Sequence, residues 1–169
     1  MINRRTLLFG GAALLLLPAE SGAEYARPVT MHAEPYQTIA TVHRDLFPGG
    51  GGAPSPRLLK AIDYLGGVMR DPYVDDDDKR FLTNGARWLN EQARKDYGYA
   101  YYRLPPEQRQ QVLQKASGLV WGDNWLWSVL SYLFEALLSD PVYGANTHEA
   151  GWRWLRYEPG YPRPKTPLI

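Results

Sequence analysis

Cysteine is absent from the 169 residues of the sequence. Its absence excludes disulfide bonds, a thiolate nucleophile, a Cys-ligated zinc or iron–sulfur centre and a covalently bound c-type haem. A lipid anchor on an N-terminal cysteine is excluded for the same reason. A redox centre of any of these kinds would have to belong to another polypeptide.

An excess of charge of one sign is also missing. The chain has 19 Lys and Arg against 18 Asp and Glu, and the two signs become equal in number if residues 1–23 are removed. Proteins that bind nucleic acid or an anionic membrane surface usually concentrate positive charge. The composition therefore does not indicate either function.

Long hydrophobic runs are scarce, and the clearest one lies near the N-terminus. The uncharged residues 7–17 make up about half of the roughly 20 residues that a helix needs to cross a bilayer. Basic residues precede the run, and Ser21 and Ala23 provide the small side chains that signal peptidase requires. The pattern predicts a signal peptide over residues 1–23, cleaved after Ala23.

The paired arginines of this segment indicate the export route. Arg4 and Arg5, followed by Thr-Leu-Leu, resemble a twin-arginine export motif; an ordinary Sec signal with two chance arginines is the alternative. Either route predicts a periplasmic protein. Residues 24–169 have the length of one domain.

Apolar residues recur at helical spacing through most of residues 24–169. The predicted helices run from Pro35 to Phe47, from Pro56 to about Asp71, from the aspartates 75–78 to Tyr97, from Pro105 to a left-handed cap at Gly118, and from Asn124 to Leu138. Residues 140–169 lose the periodicity. No strand alternation is found, so the prediction is an all-α bundle of about five helices with a long, irregular, aromatic C-terminal tail.

The fifth predicted helix is apolar on almost every side. It contains Trp125, Trp127 and Phe134 among many aliphatic residues. Such a helix is either central in its domain, or half core and half interface. It is too short, and too often interrupted by serine and glutamate, to predict a membrane span.

Residues with catalytic chemistry do not form a recognisable pattern. His43 lies close to the apolar face of the first helix, where a hydrogen-bonded core or boundary histidine is expected. His148 and Glu149 would bind a metal only with distant ligands, and the aspartates 75–78 suit a helix start better than a calcium loop. We therefore predict no catalytic, cofactor-binding or metal-binding residues and no enzymatic activity of the chain by itself.

Aromatic residues are abundant. All 6 tryptophans and 12 tyrosines follow the predicted signal peptide. Trp152 and Trp154 lie in the proline-rich tail, where complete burial is difficult in a small domain. Tyrosine and tryptophan favour interfaces and sugar-binding grooves, so part of this surface is expected to meet a partner.

The tail also carries a family resemblance. Residues 137–146 read LLSDPVYGAN, and Gly151-Trp152 and a closing GYPRP segment follow. These residues resemble the gluconate 2-dehydrogenase subunit 3 family. Agreement upstream is looser and includes Phe47-Pro48 and Trp88-Leu89-Asn90. Ala145 replaces a glycine that the family often has, which is a conservative departure.

The resemblance implies a non-catalytic small subunit of a periplasmic flavin-dependent sugar or sugar-acid dehydrogenase. It implies a large FAD-containing partner, commonly with a cytochrome c subunit that carries haem, and no cofactor in this chain. Association with the membrane would then come through a partner. The predicted partner-facing residues are Asp140, Tyr143, Gly144, Asn146, Gly151, Trp152 and Trp154. A turn with only internal contacts is the alternative for Gly144 and Asn146. For the whole chain, the alternative is a free-standing carbohydrate-binding module with exposed Trp and Tyr.

Overall fold

The computed structural model describes residues 33–166 and shows an all-α protein over this range. The predicted signal peptide, with Arg4, Arg5 and the cleavage after Ala23, lies outside the described residues. The helices are α1 (Glu34–Leu46), α2 (Ala61–Arg70), α3 (Asp76–Tyr97), α4 (Pro106–Ser117), α5 (Val120–Leu138) and α6 (Ala150–Leu155). The predicted fold class is confirmed, with one helix more than the five predicted.

The ends of α3 follow local chemistry. The carboxylate of Asp75 accepts a hydrogen bond from the amide of Asp77 and so caps the first turn, and three further aspartates place negative charge at the amino end of the helix. Gly98 ends the helix with φ of 80°, a conformation that glycine adopts at little cost. Both boundaries were predicted.

Helix α5 is the centre of the bundle, because it packs against α1, α2, α3, α4 and α6. Its buried face carries Trp125, Val129 and Leu133. Trp125 is fully buried, and its indole N–H donates to the carbonyl of Leu82 at 2.9 Å. A Cβ at Gly85 would lie 2.1 Å from the Trp125 ring, so α3 and α5 can approach this closely only with glycine at that position.

A buried asparagine joins α1, α3 and the chain before α4. The Asn90 amide nitrogen donates to Thr38 Oγ1 at 2.8 Å and to Glu34 Oε1 at 2.9 Å, and its carbonyl oxygen accepts from the Tyr101 amide at 2.9 Å. These bonds satisfy a fully buried polar side chain. Asn90 therefore fixes the relative position of three segments.

A second polar joint connects α1 to α4. Arg109 donates to both carboxylate oxygens of Asp45, at 2.7 and 2.8 Å, and the Tyr101 hydroxyl donates to the same carboxylate. Burial, together with the neighbouring Asp45, raises the pKa of Tyr101 above its usual range. The bidentate geometry is the strongest that an arginine offers, so the network orients α4 on α1.

One predicted helix start and one predicted cap conformation were wrong. Residues 56–60 form turns, and α2 begins only at Ala61, because Lys60 adopts a left-handed conformation with φ of 54°. Ser55 still accepts a hydrogen bond from the Leu58 amide, as a cap would. Gly118 ends α4 as predicted, but its φ of −77° is not left-handed.

Helices α5 and α6 also differ from the prediction. Helix α5 starts at Val120, four residues before the predicted start, with Leu119 in an extended conformation before it. Helix α6 is a short helix within the tail that was predicted to be irregular. Trp88 of α3 recurs at helical spacing with the apolar residues Phe81 and Leu89, which predicts a place on the core face, but its side chain is 39% exposed. Within residues 33–166, no helix is both long and apolar enough to span a membrane.

Candidate functional site: the C-terminal loop and the outer face of helix α5

The loop after α5 begins at Asp140, which has two internal roles. Its carboxylate accepts from the Val142 amide at 3.0 Å and forms an ion pair with Arg163 at 3.0 Å. The hydrogen bond from Arg163, followed by the bond from Val142, lowers the pKa of Asp140 below its usual range. Arg163 also binds Glu149 at 2.7 Å. One arginine thus holds the final segment against the loop.

Asn146 organises the middle of the loop from a fully buried position. Its side chain donates to the Ser139 carbonyl at 3.0 Å and accepts from the Gly151 amide at 2.7 Å. Its own amide donates to the Leu59 carbonyl at 3.0 Å, and φ is 47°. Asparagine tolerates this left-handed conformation better than most residues, so both its backbone and its side chain are required here.

Gly151 brings α6 onto α5. A Cβ at this position would lie 2.1 Å from the Leu137 carbonyl oxygen. Carbon and oxygen atoms do not approach this closely without a bond, so any larger residue would displace α6. Gly151 is therefore a packing residue in this structure.

Trp152 is directed inward. It is 4% exposed, and its indole N–H donates to the Leu138 carbonyl at 2.8 Å. The Arg163 guanidinium lies 5.0 Å from the centre of its ring, and Tyr157 packs edge-on at 5.7 Å. The tryptophan closes the end of α5 and supports the segment that carries Arg163.

The remaining predicted partner-facing residues are closer to the surface. Tyr143 is partly buried, and Gly144 is exposed with φ of 84° at the end of a short turn. Trp154 is 39% exposed and packs edge-on against Phe47, with ring centres 5.8 Å apart. Of the seven residues predicted to face a partner, Trp154 is the large aromatic residue whose side chain is exposed.

The outer face of α5 presents a larger apolar surface. Val120, Trp127, Phe134 and Leu138 are 83%, 72%, 42% and 52% exposed. Spacings of seven, seven and four residues place them on one side of the helix. We call these four residues the outer stripe. Helix α5 is thus half core, with a second apolar face that the described residues leave uncovered.

The outer stripe continues into the tail. Phe47 packs edge-on against Phe134, with ring centres 6.2 Å apart, and also contacts Trp154. A connected aromatic surface therefore runs from α5 across the end of α1 to α6. The sequence predicted that α5 is either central or half interface, and helical spacing applied to its second apolar side could have identified these particular residues.

The described histidines are engaged in the fold or lie in a loop. His43 Nε2 donates to the Val129 carbonyl at 3.1 Å, and burial lowers the pKa of His43 to about 4. The predicted hydrogen-bonded core histidine is confirmed. His148 is exposed in the loop after α5. Within residues 33–166, no group of three or more His, Asp and Glu side chains is arranged to hold a metal ion.

Comparison with known proteins identifies a family. A sequence model described as gluconate 2-dehydrogenase subunit 3 matches residues 33–161, a range that includes α1 to α6. The match confirms the resemblance seen in residues 137–152. No curated protein and no solved structure matches the chain.

Proposed function

The chain belongs to the gluconate 2-dehydrogenase subunit 3 family, and we propose that it is the non-catalytic small subunit of a periplasmic flavin-dependent sugar or sugar-acid dehydrogenase. The family match over residues 33–161 is the observation that carries this proposal. The catalytic partner is a large FAD-containing subunit, and a cytochrome c subunit receives the electrons. The small subunit assists the export, assembly or stability of the partner.

An uncovered apolar surface supports a role in assembly. Stable interfaces have an apolar core with aromatic residues near the centre and a polar rim. The outer stripe with Trp154 has this composition, and Asp123 and Asn124 lie exposed beside it on α5. We assign the docking of the large subunit to this surface.

The residues of the tail then act in two ways. Asp140, Asn146, Gly151 and Trp152 hold α6 in place through the internal contacts described above. Trp154, carried by α6, extends the outer stripe. The segment that carries the family resemblance, residues 137–152, therefore supports the docking surface through its internal contacts.

Co-purification tests the docking surface. The chain is expressed together with a large FAD-containing dehydrogenase subunit chosen from the same genome, and one subunit carries an affinity tag. Trp127→Glu places a charge in the centre of the outer stripe and is expected to abolish co-purification, because an unpaired charge is costly in an apolar interface. Tyr73→Glu is the matched control, since Tyr73 is 90% exposed outside the stripe.

The result separates three outcomes. Loss of the complex with Trp127→Glu and retention with Tyr73→Glu supports the assignment. Retention with both variants contradicts the docking surface. Failure of the wild-type chain to bind the flavoprotein contradicts the proposed function itself.

Export forms the second part of the proposal. Twin-arginine export carries folded proteins, so this chain can escort a partner that acquires FAD in the cytoplasm. We expect a flavoprotein without its own signal peptide to remain in the cytoplasm when Arg4 and Arg5 are both changed to lysine. Periplasmic flavoprotein in that double variant would contradict the escort role.

Sugar calorimetry on the isolated chain addresses the carbohydrate-binding alternative. A subunit whose tryptophans dock a protein partner is expected to show no measurable affinity for glucose. Saturable glucose binding that disappears with Trp127→Gln would favour the carbohydrate-binding module instead, because a flat indole is also a stacking platform for sugars.

A further inference from the structure

A cleft of about 430 Å³ lies between α1 and the start of α2. This volume is within the usual range for small-molecule sites. Its walls carry three basic side chains, Arg44, Arg57 and Lys60, with Asp63 as the acidic one. Within residues 33–166, none of the three basic residues forms an ion pair. No residue of the outer stripe lines the cleft.

The amino end of α2 adds to the positive character of the cleft. Lys60 precedes this helix, and no side chain caps it. Lys60, Ala61, Ile62 and Asp63 all line the cleft. The Ala61 amide already donates to the Pro56 carbonyl at 3.0 Å, and the amide groups that follow it at the helix start carry partial positive charge and favour an anion. Basic side chains and a helix start therefore face the same space.

One residue that lines the same cleft carries an unsatisfied nitrogen. His43 is among the lining residues, and its side chain is fully buried. Its Nε2 faces the Val129 carbonyl at 3.1 Å, so Nε2 carries the hydrogen. Nδ1 is then a bare acceptor, and it is the buried side-chain polar atom of residues 33–166 that has no hydrogen-bond partner. Such an atom calls for a donor.

We propose that this cleft binds a small oxyanion that also carries a hydroxyl group. The charged oxygens are held by Arg44, Arg57, Lys60 and the amino end of α2, and the hydroxyl group donates to His43 Nδ1, which the ligand reaches when the side chains that cover this buried atom move aside. Hydrogen phosphate and a hydroxycarboxylate share this chemistry. The site is independent of the partner subunit, because all of its residues belong to this chain.

Titration of the full chain with three probes tests the site. Calorimetry at constant ionic strength compares inorganic phosphate, glycolate, and acetate, which is a carboxylate without the hydroxyl group. We expect saturable binding of phosphate or glycolate and much weaker binding of acetate. Phosphate binding alone would assign the site to phosphate compounds, and glycolate binding alone would assign it to hydroxycarboxylates.

Two pairs of substitutions separate the cleft from general electrostatic attraction. Removing two charges with Arg57→Gln and Lys60→Gln is expected to weaken binding by about tenfold or more. The matched control is Arg87→Gln with Lys95→Gln, which removes two exposed basic charges from α3 and should leave the affinity unchanged. An equal effect of the two pairs would overturn the proposal.

The role of His43 is measured without replacing this core residue. NMR of ¹⁵N-labelled imidazoles in the wild-type chain should show the Nδ1 signal of His43 shifting with ligand saturation while the signals of exposed His148 stay constant. Absence of saturable binding by both phosphate and glycolate would overturn the site. Acetate binding as tight as that of glycolate, with a constant Nδ1 signal, would overturn the requirement for a hydroxyl group.

Discussion

The C-terminal loop and the outer face of α5 differ in where their large side chains lie. Those of the loop point into the protein, and those of the outer face of α5 point into solvent. In the loop and at the start of α6, Asn146 and Trp152 are buried and bonded to backbone groups of Ser139, Gly151 and Leu138. On α5, the outer stripe is exposed and has few contacts within the chain. The loop is the segment with the specific family sequence, and the stripe is recognisable only as hydrophobic residues at helical spacing.

This difference indicates what each kind of sequence signal reports. Few residue types allow a backbone to turn tightly beneath a helix end, so particular residues such as Asn146 and Gly151 are required. A docking face needs apolar area more than it needs particular residues. Substitutions in the loop should therefore lower the stability of the fold, and substitutions in the outer stripe should weaken partner binding.

The largest effect on stability is expected for Asn146→Ala. The substitution leaves the Gly151 amide and the Ser139 carbonyl without their partners and puts alanine in a left-handed conformation. These terms together predict a loss of about 4 kcal/mol in the free energy of unfolding. Urea denaturation measures the loss. Thr147→Ala, at the next residue, is the control and should change stability by less than about 0.5 kcal/mol.

Gly151→Ala is expected to cost about 3 kcal/mol, because the new methyl group meets the Leu137 carbonyl. The same measurement applies. Gly67→Ala provides the contrast, since Gly67 lies within α2 with open space around its Cβ position. Alanine is favoured over glycine inside a helix by up to about 1 kcal/mol. A Gly151→Ala protein as stable as the wild type would show that α6 does not pack on α5 as described.

A smaller effect with a defined pH dependence is expected for Arg163→Gln. Arg163 lowers the pKa of Asp140, so the ion pair stabilises the folded state above the unfolded pKa of an aspartate, which is about 4. This stabilisation is lost as pH falls through the lower pKa of the folded state. The stability difference between wild type and variant should be constant near neutral pH and shrink below about pH 4. A difference that grows on acidification would contradict the assignment.

The smallest effect on stability is expected for Trp127→Gln. The side chain is 72% exposed, so its removal should change the free energy of unfolding by less than about 0.5 kcal/mol. Partner binding should nevertheless weaken. Parallel urea denaturation and co-purification with the proposed flavoprotein partner measure stability and binding. A destabilised Trp127→Gln protein would show that Trp127 supports the fold, as the residues of the loop do.

The sequence predicted the elements whose ends are set locally. Pro35, Asp75 and Gly98 mark helix ends through chemistry that acts within a few residues, and the structure confirms those ends. The predicted start of α2 was wrong because Lys60 takes a left-handed conformation. Lys60 follows Leu59, whose carbonyl accepts a hydrogen bond from the Asn146 amide. That hydrogen bond joins residues distant in the chain, so no local pattern reports it.

The candidate site was predicted less completely than the fold. The resemblance seen in residues 137–152 predicted the family correctly, but the inward orientation of Trp152 depends on the Leu138 carbonyl and on Arg163, which only the folded chain brings together. The basic cleft was missed for the same reason. Arg44 and Lys60 belong to different segments, and neither segment is unusually basic by itself.

The assignment of the partner to the outer stripe is the central claim, and hydroxyl-radical footprinting of the chain alone and in complex with the proposed flavoprotein tests it most directly. Oxidation of Trp127 should fall strongly in the complex, because the partner covers it, while oxidation of Tyr73 should stay constant. Equal oxidation of Trp127 in the free and bound chain would contradict the claim, since the partner would then dock on another face.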